Sequence, residues 1–452
     1  MFSCFKDKVF FSKFCSIALP VMLSAFITFL VSFLDNIMVG LVSNEAVSGV
    51  YAANQVTFVF NLVVYGVLEG AGIFIQQFHG KRDYINEKKC FIFKIFSLLI
   101  FLLLVIPLLY LFGHLVINLY TKSDLNSDAI YSEGVNYLYL IIISYIPFSI
   151  GYLYSTTLRE IGKTKYAFYS SLVAIIINTT FNALFILVFN MGAKGAAIAT
   201  IIARVVEMLF LIFICHIKKL EFCTSLFKDF SIDFKLAKKI LKKGSLLFIN
   251  EIGYSLGTML QTLAFSQRNS VLSAISILST VTNIMTILIQ GLSTAIGVMV
   301  GQDLGQNDFT KALDDNKKLN LLAFWMCILT SIILLTASHF IPFMFKEVEN
   351  RQKEIATKLI IIYATLLVFN CLSITCYYTL KVGGKTLLTL ILDTGSLFIL
   401  YVPISFILAL CTNLDILYVY LIVRSLDILR TIVGFILVSK KTWLVNLTTN
   451  NL

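Results

Sequence analysis

Apolar residues fill this chain in stretches of 20 to 30, and short clusters of Lys, Arg, Asp and Glu separate them. A helix rises 1.5 Å per residue, so each stretch can cross a hydrocarbon core about 30 Å thick. Set against their charged breaks, the runs predict twelve spans: 13–40, 46–78, 90–116, 129–157, 165–190, 194–217, 240–266, 271–303, 317–345, 355–381, 386–411 and 416–439. Several are long enough to cross with a tilt. The expected fold class is all-α and integral to a membrane, and an even number of spans brings both termini to one side.

The pattern also repeats. With an offset of 225, Gln77-Phe78-His79-Gly80-Lys81-Arg82-Asp83 lies over Gln302-Asp303-Leu304-Gly305-Gln306-Asn307-Asp308, and Gly66 and Gly72 lie over Gly291 and Gly297. With an offset of 222, Thr157-Leu158-Arg159-x-x-Gly162-Lys163-Thr164 lies over Thr379-Leu380-Lys381-x-x-Gly384-Lys385-Thr386. The unit that repeats has six spans. Because six is even, both copies enter from the same side, which predicts two six-helix lobes in a parallel repeat about an axis along the membrane normal, with a binding cavity between them.

Composition agrees with the spans. The 452 residues are 58% hydrophobic and 13% charged, with mean hydropathy +0.88, whereas about a quarter of the residues of a soluble domain are charged. In such a chain the net charge of +11 speaks of membrane orientation and not of nucleic-acid binding. One set of loops, with both termini, holds 25 Lys and Arg; the other holds seven, and Lys94, Arg204, Arg424 and Arg430 fall within spans. The expected orientation has both termini cytoplasmic. No cleavable signal peptide is expected, because the first apolar run carries an acid and continues as a full span. The domains expected are residues 1–217, a linker 218–243 and residues 244–452. Eight lysines and interspersed Phe and Leu suit that linker to anionic lipid headgroups.

Scans for catalytic and metal-binding motifs return little. The nine cysteines include no C-x-x-C pair, and the four histidines are far apart with no H-E-x-x-H spacing. Gly253-Tyr254-Ser255-Leu256-Gly257 fits G-x-S-x-G but lies inside an apolar helix, where no strand-to-helix elbow can form. Gly162-Lys163-Thr164 and Gly384-Lys385-Thr386 lack the first glycine of a phosphate loop, since Thr157 and Thr379 stand there. No enzyme chemistry and no organic cofactor are expected.

An ionisable group inside a bilayer costs at least about 2.5 kcal/mol, so those that remain there are candidates for function. Counted from the nearest basic loop, Asp35, Asn182, Thr200 and Tyr137 lie roughly 25 to 33 Å deep, and Asn178 shares a face with Asn182 one turn away. One carboxylate among several neutral oxygens makes a plausible cation cage; the alternative is that Asn and Thr bond neighbouring helices. In the second half Glu251, Asp393 and Asn370 lie roughly 12 to 17 Å from that boundary. Glu251 could carry a proton, face a cationic drug or pair with an interfacial Lys. Glu69, 12 residues before Lys81, is a third acid to be explained. Arg204-x-x-Glu207 and Arg424-x-x-Asp427 have the spacing to neutralise themselves.

These residues resemble the multidrug and toxic compound extrusion (MATE) family of secondary transporters over nearly the whole chain. The resemblance is carried by Ala18-Leu19-Pro20 with Asp35 fifteen residues on, the two Gln-x-x-Gly-x-x-Asp loops, Asn178, Gly192-x-x-Gly195-Ala196-Ala197-x-Ala199-Thr200, and Phe369-Asn370 with Leu380-Lys381-x-Gly383-Gly384-Lys385-Thr386. It implies two lobes in a V and export of organic cations or amphipathic drugs in exchange for Na⁺ or H⁺. By position, Asp35, Asn178 and Thr200 match a first-lobe cation site that Tyr137 lines, Pro20 matches a proline whose helix bends, and Glu251 matches the acid of a second cation site. Two positions depart from the family: Asn182 and Asn370 stand where many or some members carry Asp.

The implied partners are small-molecule drugs or organic cations and membrane lipids, with no nucleic acid, and the chain is expected to act as a monomer in a bacterial plasma membrane. The competing reading is a flippase for lipid-linked oligosaccharides of the same superfamily, which would line its cavity with several basic residues. A receptor or structural role would not require buried acids in both lobes.

Overall fold

The computed structural model describes residues 7–40, 44–121, 127–224, 226, 231–266, 272–344 and 350–449. Twelve helices follow one another among them, with no strand: α1 (Lys8–Gly40), α2 (Asn44–Lys81), α3 (Tyr84–Thr121), α4 (Ser127–Glu160), α5 (Thr164–Asn182), α6 (Gly192–Ile217), α7 (Phe234–Ser266), α8 (Leu272–Gly305), α9 (Phe309–Ala337), α10 (Asn350–Val382), α11 (386–411) and α12 (Ile416–Ser439). A wide π-type turn, Ala183–Val188, continues α5, and two such turns, Ile391–Gly395 and Leu397–Tyr401, interrupt α11. Ten helices are long and apolar enough to cross a membrane by length and composition. The two that fall short are α7, which opens on a lysine-rich turn, and α12, which carries Arg424, Asp427 and Arg430.

Both repeated motifs turn out to encode helix ends. Arg82 after α2 and Asn307 after α8 take up left-handed backbone with φ of 61° and 62°. The following aspartates cap the next helices: Asp83 accepts from the Asn86 amide (3.2 Å), and Asp308 accepts from the Lys311 amide (3.0 Å) and the Thr310 hydroxyl (2.8 Å). Those two bonds hold the Asp308 carboxyl below its usual range. In the second motif, Gly162 and Gly384 have φ of 80° and 68°, where a side chain would be strained. Lys163 N–H bonds back to the Leu158 carbonyl (2.8 Å), and Lys385 N–H to that of Leu380 (3.0 Å). Thr157 meets Lys94 (3.4 Å), and the equivalent Thr379 meets Asn316 (2.7 Å), so the duplication extends to contacts between helices.

The chain divides into two compact units. One joins Met1–Ala18 and Gln76–Lys81 to Lys242–Leu452, and the other is Leu19–Ile75 with Arg82–Leu241. The first has a core to which all of α7 to α12 contribute, including Phe265, Ile277, Leu334, Leu367, Leu397 and Val423. Within it, Gly80 and Gly305 mark a reciprocal crossing. A Cβ on Gly80 would collide with the Gln302 backbone, and a Cβ on Gly305 with the Gln77 backbone.

The second unit packs Phe60 on Tyr145 with ring centroids 4.1 Å apart, and the Tyr145 and Thr57 hydroxyls hydrogen-bond at 2.9 Å. Gly49 and Gly134 bring α2 and α4 together: a Cβ on Gly49 would come within 2.7 Å of the Gly134 nitrogen. Of the stretch 218–243, Leu220, Phe222 and Cys223 are buried, with Phe222 against Phe91 at 4.7 Å, and residues from 234 on already belong to α7. Large apolar side chains such as Leu103 and Leu111 of α3 point outward, as a lipid-facing helix requires.

Candidate functional site

Of the residues read as a first-lobe cation site, Tyr137 lies on α4, Asn178 and Asn182 on α5 and Thr200 on α6. The small side chains of Gly195, Ala196, Ala197 and Ala199, all buried, let α6 lie closely against its neighbours. There, Asn182 donates from Nδ2 to Asn178 Oδ1 (3.2 Å), and Asn178 donates from Nδ2 to Thr200 Oγ1 (3.3 Å). The Thr200 hydroxyl donates to the Ala196 carbonyl (3.0 Å). Asn178 and Asn182 are 5% and 1% exposed, so this polar thread lies inside the protein. Tyr137, on α4, is buried as well. Amide and hydroxyl oxygens are hard donors of the kind that can hold a small cation, although here they also bond one another. Asp35 falls on α1, but its side chain lies outside the described residues. Pro20, half-buried on α1, has its carbonyl taken by the Ser24 hydroxyl (2.8 Å), and the boundary between the two units falls at Ala18 and Leu19, one turn or less away. Glu69 is half-buried on α2.

Among the three candidates of the second half, the structure ties Asp393 into a network and leaves the other two at its margin. Asp393 sits in the first wide turn of α11. Its Oδ1 accepts from Arg430 Nη2 of α12, and its Oδ2 accepts from Asn250 Nδ2 of α7 (2.9 Å). Asn250, 1% exposed, also reaches the Tyr377 hydroxyl (3.2 Å) and accepts from the Thr394 hydroxyl (2.9 Å). Glu251 follows it on α7, half-buried, close enough to Asp393 for their charges to interact. Among the described residues no hydrogen bond reaches its carboxylate. Asn370 is half-buried on α10, where its carbonyl accepts from the Ser373 hydroxyl (2.8 Å).

Sequence reasoning missed Asn250 as the hub of this network, although a single Asn beside an acid in an apolar helix is a visible signal. It also missed Glu160 as the partner of Lys94. The Lys94 side chain is wholly buried, and its Nζ bonds both Glu160 oxygens at 2.7 and 2.6 Å. A side chain on Gly72 would occupy the place of that carboxylate. The G-x-S-x-G pattern is a packing surface: side chains on Gly253 and Gly257 would collide with Thr394 and Leu397 of α11. Arg204 and Glu207 pair at 2.7 Å, whereas Arg424 stands 3.9 Å from Asp427, whose other oxygen takes the Tyr401 hydroxyl (2.7 Å). Among the described residues no group of three or more His, Cys, Asp or Glu could hold a metal ion.

Twelve helices in two repeated halves, with buried polar threads in each, define an integral membrane transporter. The chain belongs to the MatE family: its family model matches residues 20–184 and 247–407, one segment in each repeat. The chain is 24% identical to a probable multidrug resistance protein, YoeA, of Bacillus subtilis (strain 168), over 83% of this chain and 82% of that one. It is 22% identical to multidrug and toxin extrusion protein 1 of Homo sapiens, over 88% of this chain and 69% of that one. The fold matches a multidrug resistance MATE family transporter of the MOP superfamily solved in an outward-facing conformation, with TM-score 0.86 and 16% identity over 95% of each chain. It also matches a MOP superfamily transporter from Pyrococcus furiosus, with TM-score 0.84 and 18% identity over 95% of each.

Proposed function

We propose that this protein is a secondary active multidrug exporter. It exchanges organic cations or amphipathic drugs for Na⁺ or H⁺ by alternating access, as a monomer in a bacterial plasma membrane with both termini cytoplasmic. In this reading residues 1–217 and 244–452 are the moving lobes, and 218–243 joins them at the lipid headgroups. The observation that carries it is the thread of buried Asn178 and Asn182 with half-buried Thr200, a set of neutral oxygens that only a ligand or a structural role justifies in a bilayer. Asp35 supplies the charge of that site, Tyr137 lines it, and Pro20 is the point at which α1 bends.

Glu251 serves as the second-half group that meets an outgoing cation or couples to a proton. Asp393 is held by Arg430 and Asn250 and acts on Glu251 through its charge, with Asn370 at the margin. The flippase reading is the weaker one. Lys94, Arg204, Arg424 and Arg430 each have an acid within 4 Å, leaving little free positive charge among these four for a pyrophosphate. Dye efflux from proteoliposomes under separately imposed Na⁺ and H⁺ gradients tests the proposal. One of the gradients should drive efflux, and retention of every cationic dye under both would refute it.

A further inference from the structure

The chain does not stop at α12. Lys441 turns it through left-handed backbone (φ 56°), and Lys219 does the same after α6 (φ 47°), 222 residues earlier. Each half therefore ends in a short tail that is partly buried. The first stays within its own half: Phe222 packs on Phe91 and Tyr154. The second reaches further. Trp443 is wholly buried, its indole N–H bonded to the Val438 carbonyl (3.0 Å), and Asn446 and Leu447 are about as deeply placed.

Three chain segments meet this tail. At the α10–α11 turn, Gly383 has no Cβ because the Trp443 carbonyl lies against it, and Leu447 fills the space beside Gly384. At the end of α8, Asn446 Nδ2 donates to the Gly305 carbonyl (3.1 Å) and to Asn307 Oδ1 (2.8 Å). At the end of α2, Gln77 is entirely buried. Its Nε2 donates to the carbonyls of Val382 (2.9 Å) and Val445 (3.3 Å), and its Oε1 accepts from the Leu447 amide (2.6 Å). Two of those three bonds go to the tail, so a buried amide of the first repeat depends on the last residues of the second.

The segment that bonds Gln77 is not a helix, and it holds a helix that changes unit between Ile75 and Gln76. Irregular chain with side-chain hydrogen bonds can open without melting a helix, which suits it to a reversible clasp. We propose that residues 440–449 form a latch that, when seated, fastens the ends of α2 and α8 to one another, and that its release is an obligatory step of the transport cycle. The transport part rests on the exporter reading; the latch itself rests on the contacts of Gln77, Trp443 and Asn446.

The test uses the full chain with Cys4→Ser, Cys15→Ser and Cys411→Ser, which removes the cysteines outside the buried set. Asn307→Cys with Asn446→Cys then allows the seated tail to be crosslinked. Crosslinking should lower efflux about tenfold or more, with recovery on reduction, as expected when a gating motion limits turnover. Efflux at the uncrosslinked rate would overturn the proposal.

A second measurement does not need a known substrate. Trp325→Phe leaves Trp443 as the sole tryptophan of the two. Its quenching by iodide should rise several-fold when an Na⁺ or pH gradient is imposed, and should already be high in Gln77→Ala that unfolds at an unchanged temperature. If the parent protein moves no dye yet Trp443 responds, the exporter reading fails and the latch stands. Quenching indifferent to both gradients and to Gln77→Ala sinks the latch.

Discussion

Asp393 and Arg430 make the most consequential pair in the second half, because Asp393 is buried, Arg430 is largely shielded and each neutralises the other. Removing one partner of such a pair leaves an uncompensated charge and costs about 3–5 kcal/mol, while replacing both by neutral groups of similar shape costs little. Arg430→Ala should therefore lower the unfolding temperature in detergent sharply, and Asp393→Asn with Arg430→Gln should recover most of the loss; a double variant as unstable as the single one would mean the pair is not what holds α11 to α12. Asp35→Asn should abolish gradient-driven efflux yet leave drug binding in detergent within about tenfold, or roughly 1.4 kcal/mol. Glu251→Gln should weaken cationic drugs more than neutral ones. Both mutants are to be measured for efflux and binding on the same samples, and normal efflux by Asp35→Asn with loss in Glu251→Gln alone would move the coupling role to the second half. At this scale the sequence singled out candidate acids but not their partners. Depth can be counted along one helix, whereas Asn250 and Arg430 reach Asp393 from helices 143 and 37 positions away, and no local pattern encodes that meeting.

Among the elements, α7 and α11 show how a motif of chemistry becomes one of packing. Gly253 and Gly257 are one turn apart on α7, and α11 lies so close that neither can carry a Cβ without displacing Thr394 or Leu397. Gly257→Ala should cost about 1–3 kcal/mol by overpacking, read as a fall in thermal stability. Ser255→Ala should leave efflux unchanged, and a loss of activity with full stability would reopen the question of a nucleophile. The element boundaries were largely legible beforehand, because charged clusters, Gly162, Gly384 and the two aspartate caps mark helix ends by simple stereochemistry. The wide turns of α5 and α11 were not, since no residue type signals them. The buried start of the 218–243 stretch was equally hidden: its lysines suggested a surface, while Leu220, Phe222 and Cys223 fold inward.

Across the whole molecule, the asymmetry of 25 against seven basic residues sets the proposed orientation. A reporter fused after Leu452 should behave as cytoplasmic, and a cysteine at Ser43 should react with an impermeant reagent in intact cells; reaction only in broken cells reverses the topology. The duplication could be read from the sequence because it repeats glycines, threonines and aspartates whose roles are local. What could not be read was that its two copies touch at Gly80 and Gly305, each against the main chain of the other's glutamine.

That crossing has a genetic consequence. A side chain that obstructs another side chain can be relieved by shrinking its neighbour, but one that obstructs a backbone cannot, since every residue has the same main chain. A selection for revertants of Gly80→Ala should therefore return true reversion to glycine or distant changes that shift α8 bodily, and no allele at Gln302 should suppress the defect. Both copies of the repeat are held to glycine at this crossing.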